Sequence, residues 1–437
     1  MLSIAIVIPS WHYWADPTRI QPLHEMHYAT VLENRFKKRG VSVSIIDLRG
    51  ITLDQQVRHV PEHDLYIYWI MKSCDYTETE FLVKELRKYY PKSKHAAGGT
   101  HVDMCPDECR AFFDAIVVGP GEESFTKMIE DYLKGGLEGK EYKTEYKFVK
   151  FGDYPFMRRH FLPKTAVVNS RLFQKYGYDI DGTCVLFSRG CNLHCAYCVY
   201  NIPNAIQMKP LETIAEEIQY LKKEYGVKAI NLKDEIALPF SPKTCLPYLE
   251  TIGNANIMWR GQTTVWGATE EHIKLAADSG CVELATGIES ASELVRDVVR
   301  KKMTDVEIKT FINNCHKYNI KVKMCLILGL PGESMDIVEK TIKFIEESGP
   351  DYVAVSGFNP FPGSPIYNDM KYFGIKSIDK NWDKHAHLLF RFGNKEDVGL
   401  PFEYEKESQW GKTFTRKEIV DNICTVQEYL RERSMTY

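Results

Sequence analysis

The 437-residue sequence has no excess of charge of either sign, since 56 basic and 59 acidic residues leave a formal net charge of -3. That balance calls for neither a polyanionic partner nor an anionic membrane surface, and nothing in it supports nucleic-acid binding. No apolar run approaches the roughly 18 residues of a membrane span. The opening MLSIAIVIPSWHYWADP has no basic leader, so its short apolar stretch reads as a buried first strand rather than a signal peptide. Low-complexity tracts and repeats of solenoid period are missing as well. With 44% hydrophobic and 26% charged residues, the composition argues against disorder, collagen and coiled coil, and for a globular chain of two or three domains. The twelve cysteines, in a chain expected to be cytoplasmic, point to thiols that bind metal or do chemistry rather than to disulfides.

Short aliphatic runs alternate with amphipathic stretches of helical period from the start to residue 138, the pattern of a parallel α/β sheet covered on both faces. Strands are expected at 4–9, 41–48, 64–70, 94–99 and 115–119. Glycine or proline follows several strand ends, at Pro9-Ser10, Gly98-Gly99 and Gly119-Pro120-Gly121. An open α/β sheet presents ligands at that edge, and tight strand-to-helix turns use the same residues. Residues 139–178, rich in charge and aromatics, read as a linker packed on its neighbours. A second series over 179–375 places strands at 184–190, 228–234, 257–263, 281–290, 321–333 and 351–363. Six βα units imply a partial (β/α)6 barrel of TIM type, with its chemistry at the strand carboxyl ends. Residues 376–437 form a small carboxy-terminal extension ending in a helix.

Directly after the first strand of that barrel stands SRGCNLHCAYC, with Cys191, Cys195 and Cys198 in one tight loop. Three thiolates within eight residues suit an iron-sulfur cluster or zinc. A structural zinc site wants four closed ligands, and no second cysteine pair stands at the expected spacing, which favours a cluster. Three thiolates on a four-iron cluster leave one iron open for a small molecule. His194, between the cysteines, reads as pointing away.

At this point the chain resembles the radical S-adenosylmethionine (SAM) superfamily. Tyr197 is the aromatic that the family carries before its third cysteine, near the adenine. Asp234 and Glu235 end the second barrel strand, where relatives direct polar groups at the methionine amine. Gly287-Ile288-Glu289-Ser290 resembles the segment that lies against the SAM ribose and carboxylate. Gly329-Leu330-Pro331-Gly332-Glu333 and Pro362-Gly363-Ser364-Pro365 match two further turns of the family. The resemblance thus implies a [4Fe-4S] cluster on Cys191, Cys195 and Cys198. It implies SAM contacts from Tyr197, Asp234, Glu235, Glu289, Ser290, Gly329 and Pro331, with Arg260 and Gln262 ending a strand either toward SAM or as structural barrel polars.

The stretch AAGGTHVDMCPDECRAFFDAIVVGPGEESF resembles the Rossmann-like cobalamin-binding domains fused ahead of such barrels. It implies a cobalamin pocket at Gly98, Gly99, Gly119, Gly121 and Glu122, with Ser10 at the first strand end. The DxHxxG signature of an axial histidine is absent, which leaves open a domain that has lost this ligand. His12, His24, His27 and His101 read as packing or solvent-facing residues. Cys74, Cys105 and Cys109 raise the alternative of a methylthiotransferase with a second cluster, although the place of its first cysteine holds Pro9-Ser10. Cys184, Cys245, Cys281, Cys315, Cys325 and Cys424 read as small buried hydrophobes.

The family resemblance implies reductive cleavage of SAM to a 5'-deoxyadenosyl radical that abstracts hydrogen from an unactivated carbon, with methyl delivered from methylcobalamin. A radical SAM oxidoreductase, cyclase or rearrangement enzyme is the alternative, with or without cobalamin, and a redox sensor is a third reading that the SAM segments oppose. A small-molecule or peptide substrate and an external electron donor such as flavodoxin or ferredoxin follow as partners. Glu283, Arg260 and Gln262 are candidates to face the barrel cavity, and the linker and the tail are placed as lids by their position.

Overall fold

In the first sheet, successive residues alternate between two apolar layers. β1 (Leu2–Ile8) sends Ile4 and Ile6 into one buried cluster and Ala5 and Val7 into another, so both faces are covered and the sequence is continuously apolar. The computed structural model describes residues 2–14, 16–137, 141–199, 205–386 and 399–436. β1, β2 (Val41–Asp47), β3 (Leu65–Trp69), β4 (Lys94–Gly98), β5 (Ala115–Val118) and β6 (Glu141–Lys143) pair in parallel in the order β2-β1-β3-β4-β5-β6. The last of these lies in the stretch expected as linker and extends the sheet by one short strand. Helices Leu23–Phe36 and Gly121–Lys134 cover one face through Leu32, Phe36, Phe125 and Ile129. Helix Ser73–Tyr89 covers the other through Leu82, Val83 and Leu86. The strand order reverses between β1 and β3, so their carboxyl-end loops diverge and open a crevice there.

The second sheet follows sequence order throughout. β7 (Gly182–Val185), β10 (Ala229–Leu232), β11 (Met258–Thr263), β12 (Cys281–Glu289), β13 (Lys321–Leu328) and β14 (Tyr352–Gly357) pair in parallel, each with the next, and β7 and β14 remain as edges. Sequential neighbours with open ends make the expected six-unit partial barrel. The run 184–190 does not stay one strand: after β7 the chain turns into β8 (Ser188–Arg189), which pairs antiparallel with β9 (Gln207–Met208). Asp234 causes the departure by accepting hydrogen bonds from Phe187 N and Ser188 Oγ, each at 2.8 Å. The run 321–333 likewise ends as a strand at Leu328, because Gly329 turns left-handed with φ 88°.

The segment between the sheets is packed rather than loose. Met157, Leu162, Val167, Leu172 and Phe173 join the barrel core, and buried Arg159 pairs with Glu217 at 3.0 Å. The strap before the first helix ties the two units together, with Gln21 Oε1 accepting from Cys184 N at 2.9 Å. In the tail, β15 (Ile375–Ile378) pairs antiparallel with β16 (Phe402–Tyr404). Helix Arg416–Glu432 then buries Ile419, Ile423, Val426 and Leu430 against the barrel, and Thr436 bridges Val353 on the open β14 edge. The tail thus covers the edge that an incomplete barrel leaves unpaired.

Candidate functional site at the mouth of the barrel

The cysteine loop is pinned at its centre. Ala196 N donates to Val299 O at 2.8 Å and Ala196 O accepts from Ile366 N at 3.0 Å, so two other barrel loops hold it over the strand ends. Cys191, Cys195 and Cys198 all line one cavity of about 660 Å³. His194 is exposed.

Residues at the carboxyl ends of the barrel strands line this cavity. Ala285, Gly287 and Glu289 come from β12, Gln262 from β11, and Glu235 from just past β10. Glu289 sits at φ 70°, a conformation that costs a non-glycine residue roughly 1–3 kcal/mol and that its surroundings hold in place. Its Oε1 accepts from Tyr197 Oη at 2.6 Å and from Lys301 Nζ at 3.2 Å. A Cβ on Gly287 would come within 2.1 Å of the same oxygen, so the glycine makes room for the carboxylate. Glu235 accepts from Gly190 N at 3.2 Å, and burial pushes its carboxyl up to about 7.

Other residues implied by resemblance stand behind the wall of this cavity. Asp234 is buried beneath the loop, where its bonds to Phe187 and Ser188 shape the backbone. Ser290 uses its carbonyl to accept from Arg296 Nη1 at 2.8 Å. Gly329 and Pro331 belong to a turn that closes on itself, since Glu333 accepts from Gly329 N at 2.9 Å and Leu330 N at 3.2 Å, while Tyr404 Oη donates to Gly329 O at 2.8 Å. Arg260 points lower, donating to Tyr176 Oη at 2.8 Å. The last turn contributes differently: a Cβ on Gly363 would meet Met104 Sδ at 2.0 Å, so this glycine lets the first unit close down on the cavity.

A second cavity, about 260 Å³, lies between the carboxyl edge of the first sheet and the barrel. Trp14, His24, Trp69, Met71, Lys72 and Asp103 are among its walls. Burial of the buried edge groups is strong here, pushing the His24 imidazole down to about 4. None of the six residues implied for cobalamin lines it. A Cβ on Gly98 would meet the Trp69 ring at 2.8 Å, on Gly99 the Ile70 carbonyl at 2.5 Å, on Gly119 the Thr144 carbonyl at 2.0 Å, and on Gly121 the Phe125 and Tyr28 rings at 2.7 Å. Their freedom serves close packing of the protein on itself. Ser10 N donates to the Glu78 carboxylate, and Glu122 pairs across the units with Arg189 at 2.7 Å. The aromatic strap around Trp14 was not among the expected residues, although the WHYW run after the first strand is its signal.

A third cavity, about 620 Å³, occupies the barrel interior beneath the first. The three spaces share walls: Glu235 lines the first and second, Gln262 and Ala285 the first and third, and Lys233 the second and third. Among the described residues, His101, Cys105 and Glu108 form a group of metal-type side chains within 4.8 Å, while Cys74 packs with Tyr13 and Ala386. Cys109, with Cys105 packed beside it, belongs to a different apolar cluster from that of Cys74, so these three cysteines do not share one pocket of the core.

Comparison with known proteins agrees with this geometry. Residues 185–345 match the radical SAM superfamily. An uncharacterized methyltransferase of Pyrococcus horikoshii is 27% identical over 309 residues, covering 67% of this chain and 66% of that protein, so the chain spans just under two thirds of that relative. The fold is shared with the radical SAM methyltransferase TsrM from Kitasatospora setae, at TM-score 0.67, 16% identity and coverage of 86% of this chain and 77% of that one. It is shared also with the cobalamin-dependent SAM radical enzyme OxsB, at TM-score 0.63, 13% identity and coverage of 100% of this chain and 62% of that one. The match to the radical SAM superfamily thus spans residues 185–345, the stretch that carries the cysteine loop and strands β10 to β13.

Proposed function

We propose that the chain is a cobalamin-dependent radical SAM methyltransferase, in which the three adjoining cavities hold SAM, cobalamin and substrate. The observation that carries this reading is that the three cavities adjoin in pairs, at Glu235, Gln262 and Lys233, so that ligands in them would lie side by side. The methyltransferase names of the Pyrococcus relative and of TsrM, and the cobalamin of OxsB, support it.

The residues present fit each group. Cys191, Cys195 and Cys198, which line one cavity together, would hold a [4Fe-4S] cluster. Glu235, Glu289 and Lys301 bring both signs of charge to the same cavity, as a zwitterionic methionine moiety requires. At the inter-unit cavity, Tyr13 Oη and Trp69 Nε1 are buried and make no hydrogen bond among the described residues, which suits a large polar ligand at that edge. When bound, these cofactors supply one-electron cleavage of SAM and a transferable methyl group. The chain's own residues orient and enclose. Tyr197 and Lys301 hold Glu289, Gly190 N holds Glu235, and Met104 closes the cavity from the first unit. An external electron donor of the flavodoxin or ferredoxin kind completes the proposal. Among the described residues no helix is long and apolar enough to cross a membrane.

The test is iron, sulfide and cobalt analysis with absorption spectra of protein reconstituted anaerobically with iron, sulfide and hydroxocobalamin. About four irons and one cobalt per chain are expected, with Cys198→Ala losing the iron and keeping the cobalt. Iron without cobalt would overturn the methyltransferase reading in favour of an oxidoreductase.

A further inference from the structure

The barrel interior is strongly cationic for a cavity within a fold. Arg260 and Lys323 line it from β11 and β13, and Lys233 from just past the end of β10. Arg19 enters from the strap and Arg431 from the final helix. The carboxylates among its lining residues are Asp16 and Glu283. Both already have cations beside them, since Arg171 Nη1 stands 3.0 Å from Asp16, Lys175 Nζ stands 3.2 Å from Glu283, and Arg260 Nη1 lies 4.0 Å from Glu283. Five cationic side chains thus share one cavity with two carboxylates.

Like charges gathered inside low-dielectric walls repel far more than they would in water, and the walls focus the field onto whatever enters. The mutual effect is visible on the groups themselves. Burial pushes the Lys233 and Lys323 ammonium groups down, and the Arg260 charge pushes both further the same way. Lys233 stands in addition at the boundary with the inter-unit cavity, so its head faces both spaces. Gln262 and Ala285 form the wall shared with the cavity of the three cysteines.

We infer that the barrel interior is the substrate site and that it takes a small molecule bearing an oxyanion, a carboxylate or a phosphate. The anion sits against Lys233, Arg260 and Lys323, and the carbon skeleton points toward Gln262 and Ala285, beneath the SAM cavity. The inference names the substrate class of the reading above and rests on it for the direction of the carbon, whereas anion binding by the cavity is a property of the residues alone. A neutral or cationic substrate would leave the repulsion among Lys233, Arg260 and Lys323 in place, and a large apolar one would bury these three charges against hydrocarbon.

The experiment is calorimetric binding of inorganic phosphate and of succinate, separately and at low ionic strength, to the reconstituted full-length protein and to Lys323→Met and Lys233→Met. The unfolding temperature of each is read in parallel. Wild-type protein binds at least one of the two anions, and the preference between them separates phosphate from carboxylate substrates. Each variant loses roughly tenfold or more in affinity, the size of one charge-assisted hydrogen bond. Lys233→Met unfolds at a higher temperature than wild type without anion and gains less from adding it. Absence of binding to wild type, or unchanged affinity in both variants, overturns the inference. Anion binding with normal affinity by protein that takes up no cluster would instead sink the functional reading and leave the site standing.

Discussion

Arg189 of the barrel and Glu122 of the first unit meet at 2.7 Å, both buried, with His27 Nε2 3.1 Å from the same carboxylate oxygen. Burial alone would raise the Glu122 carboxyl, but the His27 hydrogen bond and the Arg189 charge hold it down at about 2. A carboxyl lowered in the folded state stabilises above its ordinary value of 4.5 and loses that contribution as pH falls through about 2. Docking of the two units is therefore insensitive to pH from neutrality to about pH 5 as far as this pair is concerned. Arg189→Met, which leaves a buried carboxylate without its cation, costs about 3–5 kcal/mol. Limited proteolysis between the units and urea unfolding of that variant check both statements.

Lys301 and Tyr197 hold Glu289 in its left-handed conformation at the mouth of the barrel. Lys301→Met should weaken SAM binding about tenfold while iron content stays at the wild-type level, because the lysine touches the carboxylate rather than supplying a thiolate. Equilibrium dialysis of SAM against reconstituted protein reads the first quantity, and iron analysis the second. Equal loss of both would contradict the assignment.

Gly119 has φ 85°, and a Cβ there would stand 2.0 Å from the Thr144 carbonyl on the neighbouring strand extension. Gly119→Ala pays the left-handed penalty of about 1–2 kcal/mol and forces the backbone of β6 away as well. The loss of stability is expected in protein that has never met cobalamin, measured as a lower unfolding midpoint. A variant of normal stability that fails only in cobalamin binding would make Gly119 a ligand contact after all.

Glu333 lies buried in its turn, where burial outweighs two amide donors and pushes its carboxyl up to about 8 from 4.5. An acid that holds its proton longer folded than unfolded makes stability fall as pH rises from about 4.5 to about 8. Urea midpoints should decline across that window, and Glu333→Gln should flatten the decline while keeping the turn. A slope unchanged by the substitution would place the titration elsewhere.

Much of the architecture was legible because it is local. The apolar runs of β1 and β3 and the helical face of Ile214, Ile218 and Leu221 declare their partners by period alone. The cysteine triplet needed only its spacing. The roles of glycines were not legible, since a positive φ or a missing Cβ signals close approach without saying of what. At Gly98, Gly99, Gly119 and Gly121 the approaching atoms belong to the protein.

Adjacent residues were also separated in ways that no spacing reveals. Asp234 turns into the protein to bend the chain after β7, whereas Glu235 faces the cavity. Lys233, next to both, joins Arg260 and Lys323 inside the barrel although they lie 27 and 90 positions away in the chain. The amino-acid sequence by itself determined the order of the elements, the two α/β units and the three-cysteine loop, because each depends on contacts among near neighbours. Only the closing of six strands around one axis decided which side chains look inward, and only the docking of the first unit through Glu122 and Met104 set three cavities against one another, since both are sums over distant residues.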